Sequence, residues 1–147
     1  MEPWKFKAKD KLKDYPLQKV ALTNLHEEIA RLESEACSIK SATSDGTPVK
    51  GGGSSREDRL LSNIVMREEL KLALDRTTRA VRMVERGLEA LTHEERRILD
   101  TMYIVQGKGY VERLMNELGL QEESSLYKRA NKALLRFTLA MYGVTES

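Results

Sequence analysis

A chain of 147 residues with 33% charged and 5% aromatic side chains has too few Phe, Trp and Tyr for a large globular core. It reads as long, surface-rich helices, in one compact domain or a small domain with an extended element. Its net charge of +2 excludes recognition of nucleic acid by global charge, so any such contact needs a local basic patch. The single Cys37 excludes an internal disulfide and suits a reducing cytoplasm. No apolar run approaches the roughly 20 residues of a membrane span.

Residues 1–14 read as a basic N-terminal arm. Trp4-Lys5-Phe6-Lys7-Ala8-Lys9-Asp10-Lys11-Leu12-Lys13 alternates lysine with other residues and lacks the apolar stretch of a secretory signal. It is either a frayed terminus or an arm that meets DNA or a partner through Trp4 and Phe6.

Residues 15–91 read as a helical hairpin. Tyr15-Pro16 starts the first helix, because proline suits a first turn. Leu22, Leu25, Ile29, Leu32, Ala36 and Ile39 follow at heptad spacing. This helix of about 28 residues spans about 40 Å. Residues 41–55, rich in Ser, Gly, Thr and Pro, read as a flexible loop; Gly51-Gly52-Gly53 lacks the Gly-Lys-Ser/Thr ending of a phosphate loop. Ser54-Ser55-Arg56-Glu57 is a capping box that opens the second helix. Leu60, Ile64, Leu70, Leu74, Val81, Val84, Leu88 and Leu91 carry its apolar stripe, interrupted by Arg67 and Thr77. The expected fold is all-α: an antiparallel, coiled-coil-like hairpin whose seam includes Leu22, Leu25, Ile29, Leu32, Ile39, Leu74, Val81 and Val84, followed by a C-terminal helix-turn-helix. Such a hairpin leaves surface uncovered. A homo-oligomer, with the dimer favoured, covers it; the alternative is a monomer whose hairpin packs on the C-terminal helices.

Residues 92–147 carry the functional signal. Thr92 and Glu95 form a capping box, and Ile98, Leu99, Met102 and Tyr103 recur at helical spacing. Gly107 and Gly109 break that helix. Val111, Leu114, Met115 and Leu118 mark a short second helix, and Gly119 supplies the left-handed turn after it. A third helix runs from about Glu122 or Ser124 to Tyr142, with Leu126, Ala130, Ala133, Leu134 and Phe137 as its buried face. Lys128, Arg129, Lys132 and Arg136 lie mostly off that face.

A major groove accepts one helix and is read from that helix's N-terminal half. Ser124, Ser125 and Tyr127 are placed to approach bases or phosphates, with Tyr127 open to a packing role instead. The helix dipole attracts phosphate, and Lys132 and Arg136 would meet the backbone. With Glu123, Lys128, Arg129 and Asn131 these residues are the candidate DNA-binding set, and double-stranded DNA is the expected partner. Chemistry has no comparable constellation. His26 and His93 are the only histidines, neither at ligand spacing to a Cys or second His, and the carboxylates alternate with Lys and Arg as on a solvated face. No enzyme activity, metal or cofactor is expected.

Leu91-Thr92-x-x-Glu95-Arg96-x-Ile98-Leu99, Leu114-x-x-x-Leu118-Gly119 and Lys132-Ala133-Leu134 together resemble the region-four helix-turn-helix of bacterial sigma factors. Tyr110-Val111, Ser124-Ser125-Leu126-Tyr127-Lys128-Arg129 and the Gly-Ser-rich stretch from Gly46 to Asn63 resemble more closely the ArpU/RinA-type regulators of phage late transcription. The likeness covers most of the chain through degenerate motifs. It implies a DNA-binding activator of phage late genes that works in the bacterial host cytoplasm, upstream of a promoter, with the hairpin setting dimer spacing or touching host RNA polymerase. The chain departs from the pattern where Gln121-Glu122-Glu123 stands in place of a Ser or Thr cap; Glu123 there can accept from a cytosine amino group.

Two other readings share these features. A small terminase subunit also joins a helix-turn-helix to an oligomerising coiled coil, although in the reverse order. A protein-interaction module would dock on RNA polymerase through the seam and never touch DNA; salt separates it, because phosphate contacts weaken steeply as counterions compete.

Overall fold

The computed structural model describes residues 2–41 and 52–145, which contain helices and no strand. Five α-helices occur: α1 (Pro3–Ser41), α2 (Gly52–Glu89), α3 (His93–Leu99), α4 (Tyr110–Leu118) and α5 (Glu123–Tyr142), with a π-helical segment, Asp100–Val105, continuing α3. No helix among the described residues is long and apolar enough to cross a membrane.

The chain divides into two compact units, residues 20–78 and residues 1–19 with 79–147. The expected boundary near residue 91 is therefore not where the structure divides. The ends of α1 and α2 belong with the C-terminal helices, because their apolar residues share one core with α5.

Residues 1–14 do not form an arm. Helix α1 begins at Pro3 and runs for 39 residues, so the start expected at Tyr15 lies well inside it. Ala8 and Leu12 are buried in a cluster with Val84, Leu88, Leu99, Ala133, Leu134 and Phe137, and Trp4 and Tyr15 pack at its margin. The alternating lysines concealed a helical face at residues 4, 8, 12 and 15, spaced by four, four and three. Full burial of a Leu or Phe contributes about 1.5–3 kcal/mol, which holds the helix together through Pro16. There proline lies inside α1, and no residue-16 amide can bond back one turn. Tyr15 donates its hydroxyl to Glu85 Oε2 at 3.1 Å, tying α1 to α2 beside this position.

Close approach of α2 and α5 explains a glycine in mid-helix. A β-carbon at Gly87 would lie 2.7 Å from Phe137 Cδ1 and Cε1 and 2.9 Å from Met141 Cγ, and Phe137 has no exposed surface into which to yield. Alanine would gain about 1 kcal/mol of helix propensity but overpack the site at a cost of about 1–3 kcal/mol. Gly87→Ala is therefore expected to lower stability by up to about 2 kcal/mol, measured by urea denaturation.

A second cluster lies beneath the shorter helices: Ile98, Met102, Leu114, Leu126 and Ala130, with Tyr110, Val111, Met115, Leu118 and Leu120 packed against it. Tyr103 packs against both clusters, with Lys9 Nζ 5.4 Å from its ring centre. Burial pushes the Tyr103 phenol up to about 12, with Tyr127 and Tyr110 adding to the shift. A phenol whose proton is held more tightly in the folded state stabilises the fold below the unfolded value near pH 10, and that contribution disappears as pH rises toward 12. Stability should thus fall over pH 10–12, and Tyr103→Phe should flatten that part of a pH series of thermal melts.

In the other unit, α1 and α2 pair as a hairpin. Asn63 Nδ2 donates to the Leu32 carbonyl at 2.9 Å. Leu32 precedes the end of α1 at Ser41 by nine residues and Asn63 follows the start of α2 at Gly52 by eleven, so the two helix ends come level on the connection side. Ile29, Leu32, Ala36 and Ile39 are buried, as expected; Leu22, Leu25 and Leu74 are half-buried. Val81 and Val84 are also buried, in the C-terminal unit. Ile64, expected in the stripe, is 45% exposed. Its place belongs to Asn63, 2% exposed, which also accepts from Arg67 Nε at 2.7 Å. Leu60, Asn63, Arg67, Leu70, Leu74, Thr77, Val81, Val84, Leu88 and Leu91 form an unbroken alternation of threes and fours. The interruptions at Arg67 and Thr77 are thus seam positions filled by polar side chains, of the kind that fix register.

The expected loop, 41–55, is described only at its ends. Ser41 closes α1, and α2 is already helical from Gly52, two residues before the cap expected at Ser54; 42–51 lie outside the described residues. Cys37, next to the buried Ala36, is exposed.

Candidate nucleic-acid interface

The C-terminal helices are set by their caps. At α3, Thr92 Oγ1 accepts from the Glu95 amide at 3.2 Å and Glu95 Oε1 accepts from the Thr92 amide at 3.0 Å, the expected reciprocal box. The π-helical segment ends where the Gln106 amide donates to the Thr101 carbonyl at 3.1 Å, with Gln106 in the left-handed region at φ 44°. Gly109 and Gly119, at φ 70° and 69°, bound α4. After Gly119, the Leu120 amide reaches the Met115 carbonyl at 2.8 Å, closing the helix by a six-residue ring. Gln121 and Glu122 lead into α5, where Glu122 makes no side-chain cap.

Arg97 grips Glu117 through Nε at 3.2 Å and Nη2 at 3.3 Å, clamping α3 to α4. Leu114 and Leu126 have no exposed surface, so α4 and α5 meet over a shared core. The result is a short helix, a tight turn and a long helix whose outer side faces solvent.

The candidate residues fall into two rows along α5. Ser124, Lys128 and Asn131 follow at four and three residues on the outermost face, with Tyr127 at its edge; all are exposed. Ser125 is half-buried, and Glu123, the first residue of α5, is exposed. Beyond Asn131 the outer face turns apolar, with Leu135, Leu139 and Tyr142 each about two-fifths exposed. The polar part is therefore confined to the N-terminal half.

Arg129, Lys132 and Arg136 form the second row, which faces α3. Arg129 Nη1 pairs with Glu94 Oε1, and Arg136 Nε lies 3.3 Å from Glu95 Oε2. That Glu95 oxygen is buried without a hydrogen bond, so the Arg136 contact is an ion pair lacking hydrogen-bond alignment. Glu94, Glu95, Thr92 and Ile98 line one groove with the three cations. Arg129 and Arg136 thus both have carboxylate partners in this structure. Lys128 and Lys132 have none among the described residues. Sequence reasoning placed Glu95 only in the cap and missed Glu94; the available signal was two carboxylates in the first turn of a helix that packs on a basic one.

No group of three or more His, Cys, Asp or Glu among the described residues is placed to hold a metal ion. Compared with family models, with curated proteins and with solved structures, the chain matches none.

Proposed function

We propose that this chain is a sequence-specific DNA-binding regulator of transcription, of the ArpU/RinA type that its C-terminal motifs resemble. What carries the reading is the outer row of α5: Ser124, Lys128 and Asn131, with Tyr127 beside them, exposed at the N-terminal half of a helix held by a short helix and a tight turn. In this reading that half lies in the major groove, where Asn131 can pair with adenine and Ser124 with either base type. Lys128 and Lys132 meet phosphates on either side. The pair holding Arg129 is on the surface, its side chains 45% and 46% exposed; such a pair contributes only about 0–1 kcal/mol, so a DNA phosphate competes with Glu94 for Arg129. Arg136 is 50% exposed, but its partner Glu95 is 13% exposed.

The expected action is activation of phage late genes from a site upstream of a promoter, as a homo-oligomer, in the cytoplasm of a bacterial host. The test is a titration against a duplex library drawn from the DNA flanking its own gene, at two salt concentrations. One tight site with a steep salt slope is expected. Uniformly weak binding, or a tight complex indifferent to salt, refutes the reading.

A further inference from the structure

One strip of α2 is apolar and open, and it lies on the side away from the hairpin seam. Among the described residues between 21 and 78, every exposed large apolar side chain belongs to α2: Leu61, Ile64, Val65, Met66 and Leu72. Leu61, Val65 and Leu72 are 61%, 48% and 60% exposed. With Glu68 they form a row spaced by four, three and four residues. At about 100° per residue that row stands opposite the seam residues Asn63, Leu70 and Leu74. One face of the helix therefore closes the hairpin, while the other presents a second apolar row to solvent.

We propose that this strip pairs with the same strip of a second copy of the chain, antiparallel, about a two-fold axis between Met66 and Arg67. The pairing gives a surface to the homo-oligomer of the proposed regulator, and it rests on that reading only for what the oligomer is used for. Charge selects the second copy and its direction. Asp58 precedes Leu61 by three residues and Arg76 follows Leu72 by four; both are exposed and lie on one flank of the strip. With the helices antiparallel, Leu61 comes level with the partner's Leu72 and Val65 with the partner's Glu68. Asp58 comes level, within one residue, with the partner's Arg76. The two-fold axis makes each of these contacts twice. In a parallel pair Asp58 and Glu68 would each face its own copy, and opposed like charges disfavour association. Glu57, on the other flank, comes level with the partner's Asp75, so the attraction belongs to Asp58 rather than to the acidic start of α2 as a whole.

Sedimentation equilibrium of the full chain without DNA, over a micromolar concentration series, should show a monomer–dimer equilibrium. Leu61→Glu with Leu72→Glu should weaken it about a hundredfold or more at unchanged helicity, since both side chains are exposed in the single chain and buried only in the pair. Asp58→Arg should weaken it about tenfold, and adding Arg76→Asp should restore it. Cross-linking reads the register independently of these variants. In a Cys37→Ser background, chains carrying Leu61→Cys and Leu72→Cys should form a disulfide when mixed but not separately. Equal residues of the two copies then lie 11 positions apart, about 16 Å along the pair, too far for a disulfide. A monomer at every concentration overturns the proposal, as does a dimer indifferent to the leucine changes, a charge swap without recovery, or disulfides within either single-cysteine sample. The Lys128→Glu/Lys132→Glu variant should dimerise normally, so failure of the DNA reading leaves this result standing. A wild-type monomer that binds one duplex site tightly overturns the pairing alone.

Discussion

Leu12→Ala should lower the unfolding free energy by about 3 kcal/mol, a large part of the stability of a small domain. Leu12 has no exposed surface and sits in the cluster that also holds Phe137, Leu134 and Val84. Truncation removes buried methyl groups and leaves a cavity that two neighbouring helices cannot close without moving. The matched control is Leu17→Ala: Leu17 is 71% exposed on the same helix, and its loss should change stability by no more than about 0.5 kcal/mol. Urea denaturation of both variants separates a packed helix from a frayed arm. Equal, small effects would mean that the first turns of α1 do not belong to the core.

Lys128→Glu with Lys132→Glu should weaken duplex binding by about a hundredfold or more, with unchanged helicity and melting. Both side chains are exposed, so substitution leaves the core intact. Each reversed charge removes one phosphate contact, at about tenfold apiece, and adds repulsion. The neutral pair, Lys128→Gln with Lys132→Gln, should lower the salt slope by about two while retaining sequence preference, because phosphate contacts position the protein but do not read bases. Wild-type affinity in the Glu variant would exclude α5 as the DNA-facing helix.

Glu94 and Glu95 occupy the guanidinium groups that DNA would contact in the proposed complex, so the cationic strength of α5 is less than its sequence suggests. Among the described residues Lys128 and Lys132 have no carboxylate partner, so these two, rather than all four basic residues of α5, are available to phosphate.

Local features were legible in the sequence. The Thr92–Glu95 box, the left-handed Gly119 and the buried row Leu126, Ala130, Ala133, Leu134 and Phe137 all depend on residues within a few positions of one another. Capping and helical periodicity act over that range, and the structure has each of them. The heptad of α1 was equally plain, since Ile29, Leu32, Ala36 and Ile39 repeat without interruption.

What sequence alone missed depends on partners far away in the chain. Ala8 and Leu12 look like gaps in a lysine run until Phe137 and Val84 supply the other side of their contact. Asn63 looks like a surface residue until the Leu32 carbonyl stands opposite its amide. Gly87 looks like a defect in a helix until Phe137 fills the space of its missing side chain, and Arg129 and Arg136 look free until Glu94 and Glu95 meet them. Sequence by itself determined an all-helical chain, the Thr92–Glu95 cap and the basic last helix, because neighbouring residues decide backbone conformation and amphipathic face. Only the tertiary structure decided which residues at those faces are buried, which polar groups are satisfied and which charges remain available, because burial and pairing require a surface contributed by another element.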